Sequence, residues 1–338
     1  MPDIVGQAID QICTLDIKNR GMPHNVLAPM YAAARKLTQG RPISIAAAEM
    51  LVASVAPGDR VLILTGAGYP PQLPHGESDG PPGAAALARI LHRGLGAVPI
   101  YVVERAHLGP VVASSNAAGV SLRETYDEVR DTRLGAIAEV APDTGAEVAG
   151  WVAHVLDTYR PSAVISAERI GPGAQGVLHS ATGIPFSPPK GGEIVDISPL
   201  VEEATRRGIP TLGIGDYGNE IGFGAIRDTV MQVMPRGPKL ATTTATDIVF
   251  PSMMSNWGCY GIEAAIAFLL RRPDLIHSPE VERRVLYACL DAGGYEAIHC
   301  TTDFQVDGLD GESSMAVVQL LGNIVRKNLE AQTSGFAH

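Results

Sequence analysis

The sequence predicts an α/β protein whose mostly parallel sheet is covered by helices on both faces, with an additional helical segment at the N-terminus. Short apolar runs alternate along the chain with stretches whose apolar residues recur at helical spacing. The runs are apolar throughout, which is typical of strands buried on both faces. With 338 residues, of which 46% are hydrophobic, the chain can form the large core that a three-layer, Rossmann-like arrangement needs.

Residues 1–57 are predicted to form helices that pack on the main domain. Apolar residues recur at helical spacing as Leu27, Met30, Tyr31, Ala34 and Leu37. A second helix follows over 42–55, with Ser44 as a candidate N-cap, and Pro57-Gly58 ends it.

The following segment, 58–330, is predicted to be one α/β catalytic domain, and 331–338 a tail. The predicted strands are 60–65, 97–103, 135–140, 162–166, 209–214, 247–251 and 297–301. The predicted helices between them include 85–95, 146–159, 198–208, 262–272 and 278–294. The Gly/Pro-rich segments 66–83 and 168–193 are interpreted as active-site loops.

The charge of the chain argues against several partners. Its formal net charge is −10 and it has no basic run, so we expect neither nucleic acid nor an anionic membrane as partner. There is no signal-like N-terminus and no run of about 18 apolar residues. Four cysteines, Cys13, Cys259, Cys289 and Cys300, lie in apolar settings and are expected to be free thiols. We therefore expect a cytoplasmic homo-oligomer that acts on a small molecule.

Glycine patterns raise the question of a nucleotide cofactor. G-x-G-x-x-G occurs at 213–218 and again at 171–176. The dinucleotide fingerprint also needs an acid about 20 residues later, which 234–244 lacks, and Asp216 inside the turn would repel a pyrophosphate. No G-K-[ST] occurs either. We expect no nucleotide cofactor, although an NAD(P)-dependent oxidoreductase remains the minor alternative.

The segment "GESDG" at 76–80 matches the nucleophile elbow G-x-S-x-G. That elbow requires a strand directly before the serine, whereas three prolines precede Ser78 here. The acids of this segment are explained equally well as caps of the helix that follows. Ser78 is therefore not favoured as a nucleophile.

Polar side chains follow almost every predicted strand. They are Glu77 and Asp79, Glu104 and Arg105, Glu168 and Arg169, Asp216 with Asn219 and Glu220, Ser255 and Asn256, and Asp303 and Asp307. Ligands of open parallel sheets bind at the carboxyl ends of the strands. The pattern predicts a carboxylate-lined pocket with Arg169 as an anion clamp, and His179 lies in a loop that could face it. Such acids can hold Mg²⁺ or Mn²⁺, or act as general acid and base.

Seven motifs together resemble the D-glutamate cyclase family over nearly the whole chain. They are "RG" at 20–21, "GRPISIAAAEML" at 40–51, "GESDGPPGA" at 76–84, "ERIG" at 168–171, "GIGDYGNEIGFG" at 213–224, "SNWGCYG" at 255–261 and "VDGLDG" at 306–311. The resemblance implies conversion of D-glutamate to 5-oxo-D-proline with loss of water.

The strand ends and the resemblance together predict the site residues. The predicted catalytic residues are Asp216, Glu220 and Glu168, and Asp216 and Glu220 are also the predicted ligands of a Mg²⁺ or Mn²⁺ ion. The predicted substrate-binding residues are Glu77, Asp79, Gly80, Arg169, Tyr217, Asn219, Asn256 and Asp303.

The chain departs from the family pattern at two positions. Tyr217 stands where the family usually has glycine, and Gln175 where it usually has aspartate. Both positions lie in predicted substrate loops. The substrate could therefore be another lactam or cyclic amide, whose ring the enzyme opens or closes.

Overall fold

A computed structural model describes residues 1–17, 24–132, 135–186 and 194–330. The motif at 20–21, the part of the predicted loop from 187 to 193, and the tail 331–338 lie outside the described residues.

Within the described residues, six parallel strands form one sheet. They are β1 (Arg60–Thr65), β2 (Val98–Val103), β3 (Ile137–Val140), β4 (Ala163–Ala167), β5 (Thr211–Gly215) and β6 (Ile248–Pro251). The order is β3-β2-β1-β4-β5-β6, so the chain winds outward from β1 and then from β4. Leu62 of β1 pairs with Ile100 of β2 on one side and Val164 of β4 on the other.

The helices of the described residues are α1 (Pro2–Cys13), α2 (Leu27–Leu37), α3 (Ile43–Ser54), α4 (Pro81–Leu95), α5 (Leu108–Ala117), α6 (Tyr126–Thr132), α7 (Val148–Tyr159), α8 (Ser198–Arg206), α9 (Arg227–Val233), α10 (Gly237–Leu240), α11 (Ser255–Leu269), α12 (Pro279–Asp291) and α13 (Gly311–Leu329). Successive strand residues face opposite layers, because side chains alternate along a strand. Val61 and Ile63 join the core formed with α1–α5 and α9–α13, whereas Leu62 and Leu64 join the core formed with α6–α8. The predicted fold class is therefore confirmed.

The N-terminal helices share the larger core with α11. The Cys13 thiol at the end of α1 lies 3.1 Å from the Trp257 carbonyl oxygen. Asp10 of α1 caps α3, since its carboxylate accepts the backbone N–H groups of Ile43 and Ser44 at 2.7 and 3.1 Å. The predicted N-cap role of Ser44 is wrong, because α3 begins one residue earlier and takes its cap from another helix.

The predicted strand at 297–301 is also wrong. This segment turns back on itself, with the Cys300 N–H donating to the Glu296 carbonyl oxygen at 2.9 Å. The buried Glu296 carboxylate accepts the N–H groups of Ile298 and His299 at 2.8 and 2.7 Å, which fixes the turn. Only the short antiparallel pair β7 (Gln305–Val306) and β8 (Leu309–Asp310) follows in this region of the described chain.

A buried ionic network joins α11 to α12. His277 places Nδ1 2.5 Å from Glu263 Oε2 and Nε2 3.1 Å from Glu282 Oε2. Burial alone would lower the pKa of His277, but the two glutamates raise it to about 9. The network therefore favours a positively charged imidazole inside the core.

Cys13, Cys259 and Cys289 are buried free thiols, and Cys300 is a partly exposed one. None of the described helices combines the length and apolar character needed to cross a membrane.

Candidate active site

The candidate site lies where the winding of the sheet reverses. The strands β1 and β4 are neighbours, and the loops that follow them lead away in opposite directions, which opens a crevice at their carboxyl ends. A cavity of about 210 Å³ occupies this crevice. Among the described residues, its acidic lining consists of Glu77, Glu168, Asp216, Glu220 and Asp307.

The acids form two overlapping groups. Carboxylate oxygens of Asp79, Asp216 and Asp307 lie within 4.8 Å of one another, and so do those of Glu168, Asp216 and Glu220. Asp216 belongs to both groups, and all of these side chains are buried. The structure thus brings together the three predicted catalytic residues and adds Asp307.

Burial and mutual repulsion raise the pKa values of these carboxyl groups. Burial is the largest cause, and the neighbouring acids add to it, so the pKa values of Glu77, Glu168, Asp216 and Asp307 lie well above their ordinary range. Burial also raises the pKa of Asp79, but hydrogen bonds from backbone N–H groups limit the rise to about 6. At neutral pH the cluster can therefore hold protonated and ionised carboxyl groups side by side.

The glycine-rich turn after β5 binds a carboxylate of its own chain. Glu220 accepts the N–H groups of Asp216, Tyr217 and Gly218 at 3.3, 2.9 and 2.7 Å. Gly218 has φ +91°, and a Cβ there would lie 2.4 Å from a methyl group of Val230, so glycine is required. The N–H donors that a pyrophosphate would need from this turn are bonded to Glu220 instead.

Two helices begin at the acid cluster and cap each other. Asp79, just before α4, accepts the N–H groups of Ser255 and Asn256 at the start of α11, both within 2.8 Å. Asn256 Oδ1 accepts the N–H groups of Gly80 and Gly83 at the start of α4, at 3.0 and 2.7 Å. Asp79 is therefore a helix cap, but of α11 rather than of the helix that follows it.

This arrangement directs the positive ends of both helix dipoles toward the carboxylates. The Ser255 hydroxyl also donates a short hydrogen bond to Glu168 Oε2. Gly80 and Asn256, predicted to bind substrate, thus lie behind the cavity wall, where they hold the helix starts in place.

Two other predicted residues line the cavity directly. Asn219 donates from Nδ2 to the His179 carbonyl oxygen at 2.9 Å, while its buried Oδ1 has no hydrogen-bond partner among the described residues. Tyr217 forms part of the wall, and burial and the nearby acids raise its pKa above the usual range. The His179 side chain is buried outside the described lining of the cavity.

The structure places Arg169 away from the described cavity lining. Its fully buried guanidinium donates to the carbonyl oxygens of Gly66 and Val195, at 3.1 and 2.7 Å, and forms an ion pair with Glu104. Burial favours a raised pKa for Glu104, but Arg169 and His107 lower it to about 2. Arg169 therefore tethers loops rather than facing the cavity as an anion clamp.

Asp303 also lies outside the described cavity lining. It is exposed and accepts a hydrogen bond from the Thr301 hydroxyl at 3.0 Å. Asp307, four residues later, is the acid from this segment that reaches the cavity. Both residues follow the same predicted strand, so the strand-end pattern included Asp307 but could not choose between them.

Sequence reasoning missed Arg236, which lies between α9 and α10 and lines the cavity. It also missed the apolar part of the wall, which includes Leu73, Ile170, Phe186, Met234 and Leu240. Arg236 follows no strand, so the strand-end pattern contained no signal for it.

A doubly wound parallel sheet with a buried carboxylate cluster and a cavity at its switch point defines an α/β protein whose candidate site lies at the carboxyl ends of the strands. The chain belongs to the family described as D-glutamate cyclase-like, C-terminal, whose model matches residues 9–322. This match confirms the family predicted from the ordered motifs.

The chain is also similar to the mitochondrial D-glutamate cyclase of Homo sapiens. The two sequences are 27% identical over 231 residues, which is 65% of this chain and 35% of the human protein. The matched region therefore spans about a third of that relative's length. Because the relative is named as mitochondrial, the cytoplasmic location of this chain stays a prediction.

Proposed function

We propose that this chain interconverts a small amino acid and its lactam, with D-glutamate and 5-oxo-D-proline plus water as the pair to test first. The carboxylate cluster at the base of the cavity is the observation that carries the proposal, because it offers both a proton acceptor and a proton donor within reach of Asp216. Membership of the D-glutamate cyclase-like family supports the choice of substrate.

In the proposed reaction, ionised Asp216 accepts a proton from the substrate ammonium. The freed nitrogen attacks the side-chain carboxyl carbon, and a tetrahedral intermediate forms. Protonated Glu168 donates a proton to the departing oxygen as the C–O bond breaks, and the second ammonium proton completes the water molecule. The proton on Asp216 then passes to Glu168, which restores both carboxyl groups for the next turnover. The new C–N bond closes the five-membered ring, which is favoured since both reacting groups belong to one molecule.

The raised pKa values of Glu168 and Asp216 suit these roles, because a raised pKa favours the proton that an acid must donate and makes an ionised neighbour a stronger base. Glu220 fixes the turn that carries Asp216, since it accepts the N–H groups of three turn residues. Opening of the lactam by water is the same sequence reversed, so a lactam or cyclic amide hydrolase remains the nearest alternative.

We also propose Mg²⁺ or Mn²⁺ as a cofactor. The candidate ligand atoms are all carboxylate oxygens, which these hard cations prefer, and Asn219 Oδ1, which has no partner in the described part of the chain, is a further oxygen at the cavity. Asp216 with Glu220 and Glu168, or Asp216 with Asp79 and Asp307, would hold the ion. A bound cation would offset the negative charge of the acids and the substrate, and would polarise the carboxyl group.

The direct test incubates purified protein with D-glutamate, with and without Mn²⁺, and separates the products by chiral chromatography. We expect 5-oxo-D-proline, and we expect D216N and E168Q to lower kcat by roughly 10²- to 10⁴-fold while circular dichroism stays unchanged. The matched control is E124Q, since Glu124 is exposed and outside the described cavity lining. The absence of 5-oxoproline, together with no hydrolysis of a panel of lactams, would contradict the proposal.

An NAD(P)-dependent oxidoreductase is the weaker candidate, because Glu220 occupies the N–H donors of the turn after β5. A rise in Tm on addition of NAD(P) would support the oxidoreductase alternative.

A further inference from the structure

The cavity has a marked imbalance of charge. Five acidic side chains line it, and Arg236 is the one basic side chain among its described lining residues. An amino acid substrate with two carboxylates brings further negative charge into this acidic setting. Because like charges repel at short range, the carboxylate that does not react is best held by a cationic group away from the acids.

Arg236 is available for such a contact. It is exposed, and its guanidinium makes no ion pair or hydrogen bond with the described residues. Its stem passes over Gly183, where an added Cβ would lie 2.9 Å from Arg236 Cδ. Gly183 also has φ +79°, so the backbone itself favours glycine at this position.

The turn below Arg236 is held in place. Lys239 Nζ donates to the Gly183 carbonyl oxygen at 2.6 Å, and the hydroxyls of Ser180 and Thr182 are hydrogen bonded at 2.8 Å. Ser180 and Thr182 line the cavity next to Arg236. The guanidinium therefore sits above an ordered, polar part of the cavity wall.

Arg169 cannot serve the same purpose, since its charge is paired with Glu104 and its N–H groups bond to loop carbonyl oxygens. At the acidic part of the cavity, Asn219 Oδ1 receives no hydrogen bond from any described residue, which suits an ammonium or a lactam N–H. Among its described lining residues, the cavity thus has an acceptor-rich part and a single cationic residue.

We propose that Arg236 binds the substrate carboxylate that does not react, while the substrate nitrogen lies among the acids and Asn219. This inference rests on the proposed function and narrows its substrate class. The substrates are amino acids and lactams that keep a free carboxylate beside the reacting nitrogen. Neutral lactams and α-amides lack the group that Arg236 recognises.

The test compares D-glutamate with D-isoglutamine, in which an amide replaces the α-carboxylate but the reacting groups are unchanged. Loss of a charge-assisted hydrogen bond predicts that R236Q raises KM for D-glutamate roughly 10- to 100-fold, with kcat within a few-fold. The KM of R236K for D-glutamate should lie between those of wild type and R236Q, because a lysine keeps the positive charge but not the planar guanidinium that can donate two parallel hydrogen bonds. KM for D-isoglutamine should be the same in wild type and R236Q.

The matched control is R130Q, which removes one positive charge from the exposed side of helix α6 and should change neither KM. An unchanged KM for D-glutamate in R236Q would overturn the inference while leaving the proposed function in place.

If the wild type turns over neither compound and hydrolyses no lactam of the panel, the proposed function fails. Calorimetry then still decides the inference, since 5-oxo-D-proline should bind the wild type more tightly than 2-pyrrolidinone, and R236Q should remove that difference. Equal binding of the two lactams by the wild type would overturn it.

Discussion

Asn256 holds together the starts of two helices at the candidate site. It accepts N–H groups from Gly80 and Gly83, and its Nδ2 donates to the Ser78 carbonyl oxygen at 2.9 Å. Truncation leaves the buried Gly83 N–H and Ser78 carbonyl oxygen without this partner, while the Gly80 N–H keeps its hydrogen bond to Asp79 Oδ1 at 3.1 Å. We therefore expect N256A to lower the free energy of unfolding by about 2–4 kcal/mol. Urea denaturation monitored by circular dichroism measures this.

The matched control for this prediction is N116A. Asn116 is exposed and its Oδ1 accepts one N–H group, from Leu122 at 3.1 Å, so we expect a loss below about 1 kcal/mol. Equal losses for the two variants would show that the reciprocal caps contribute little.

At the scale of residues, residue type and position relative to a strand predicted which acids lie at the cavity in most cases. They did not predict where Arg169 and Arg236 lie. Glu168 and Arg169 are adjacent, yet one lines the cavity and the other is buried against Glu104. The partner of Arg169 is 65 positions earlier in the chain, so its pairing exists only after β1, β2 and β4 have assembled. Arg236 lies between two short helices, a place where charged residues are common and usually solvated.

At the scale of elements, the buried Arg169 connects three segments. It binds the loop after β1 through Gly66, the end of β2 through Glu104, and the segment before α8 through Val195. Removing the guanidinium leaves Glu104 charged and uncompensated. We expect R169M to lower the free energy of unfolding by roughly 3–5 kcal/mol, measured by urea denaturation.

The double variant R169M/E104Q tests the cause. It removes the uncompensated charge, so it should be more stable than R169M alone. A double variant that is less stable by the sum of both single losses would show that the ion pair is not the main contribution.

The elements themselves were predicted well where local signals agreed. The six sheet strands and several helices follow from periodicity, as the run 60–65 and the helix 85–95 illustrate, whereas α13, the longest described helix, was not predicted. The strand prediction for 297–301 was wrong because its apolar residues suggested a strand, while Glu296 stabilises a turn there. The prediction of the residue that caps α3 was wrong because Asp10 is 33 residues before Ile43, beyond any local capping pattern.

At the scale of the whole molecule, the buried titratable groups predict how stability depends on pH. The folded state holds a proton on His277 up to about pH 9, whereas the unfolded chain releases it near pH 6.5. The stabilisation is therefore complete below pH 6.5 and is lost as the pH rises toward 9. It amounts to about 3 kcal/mol over this window. The raised pKa values of Glu77, Glu168, Asp216 and Asp307 act in the same direction.

We therefore expect the Tm of the metal-free protein to fall as the pH rises from 6.5 to 9, and to fall less in the H277Q variant. Under the metal proposal, Mn²⁺ should raise Tm more at pH 8 than at pH 6, since the carboxylates must be ionised to bind it. Differential scanning calorimetry measures both effects. A Tm that rises across this window, or an identical pH dependence in H277Q, would contradict the prediction.

The homo-oligomeric state of the protein stays a prediction, and light scattering can test it by measuring the molar mass in solution.

The mutual capping of α4 and α11 links segments about 175 positions apart, since Asp79 and Asn256 are direct partners. A break in the chain between these segments divides the cavity between two fragments, and each fragment lacks the cap for its own helix. Neither fragment can assemble the acid cluster alone. We therefore expect turnover from the two fragments only when they are mixed and reassemble.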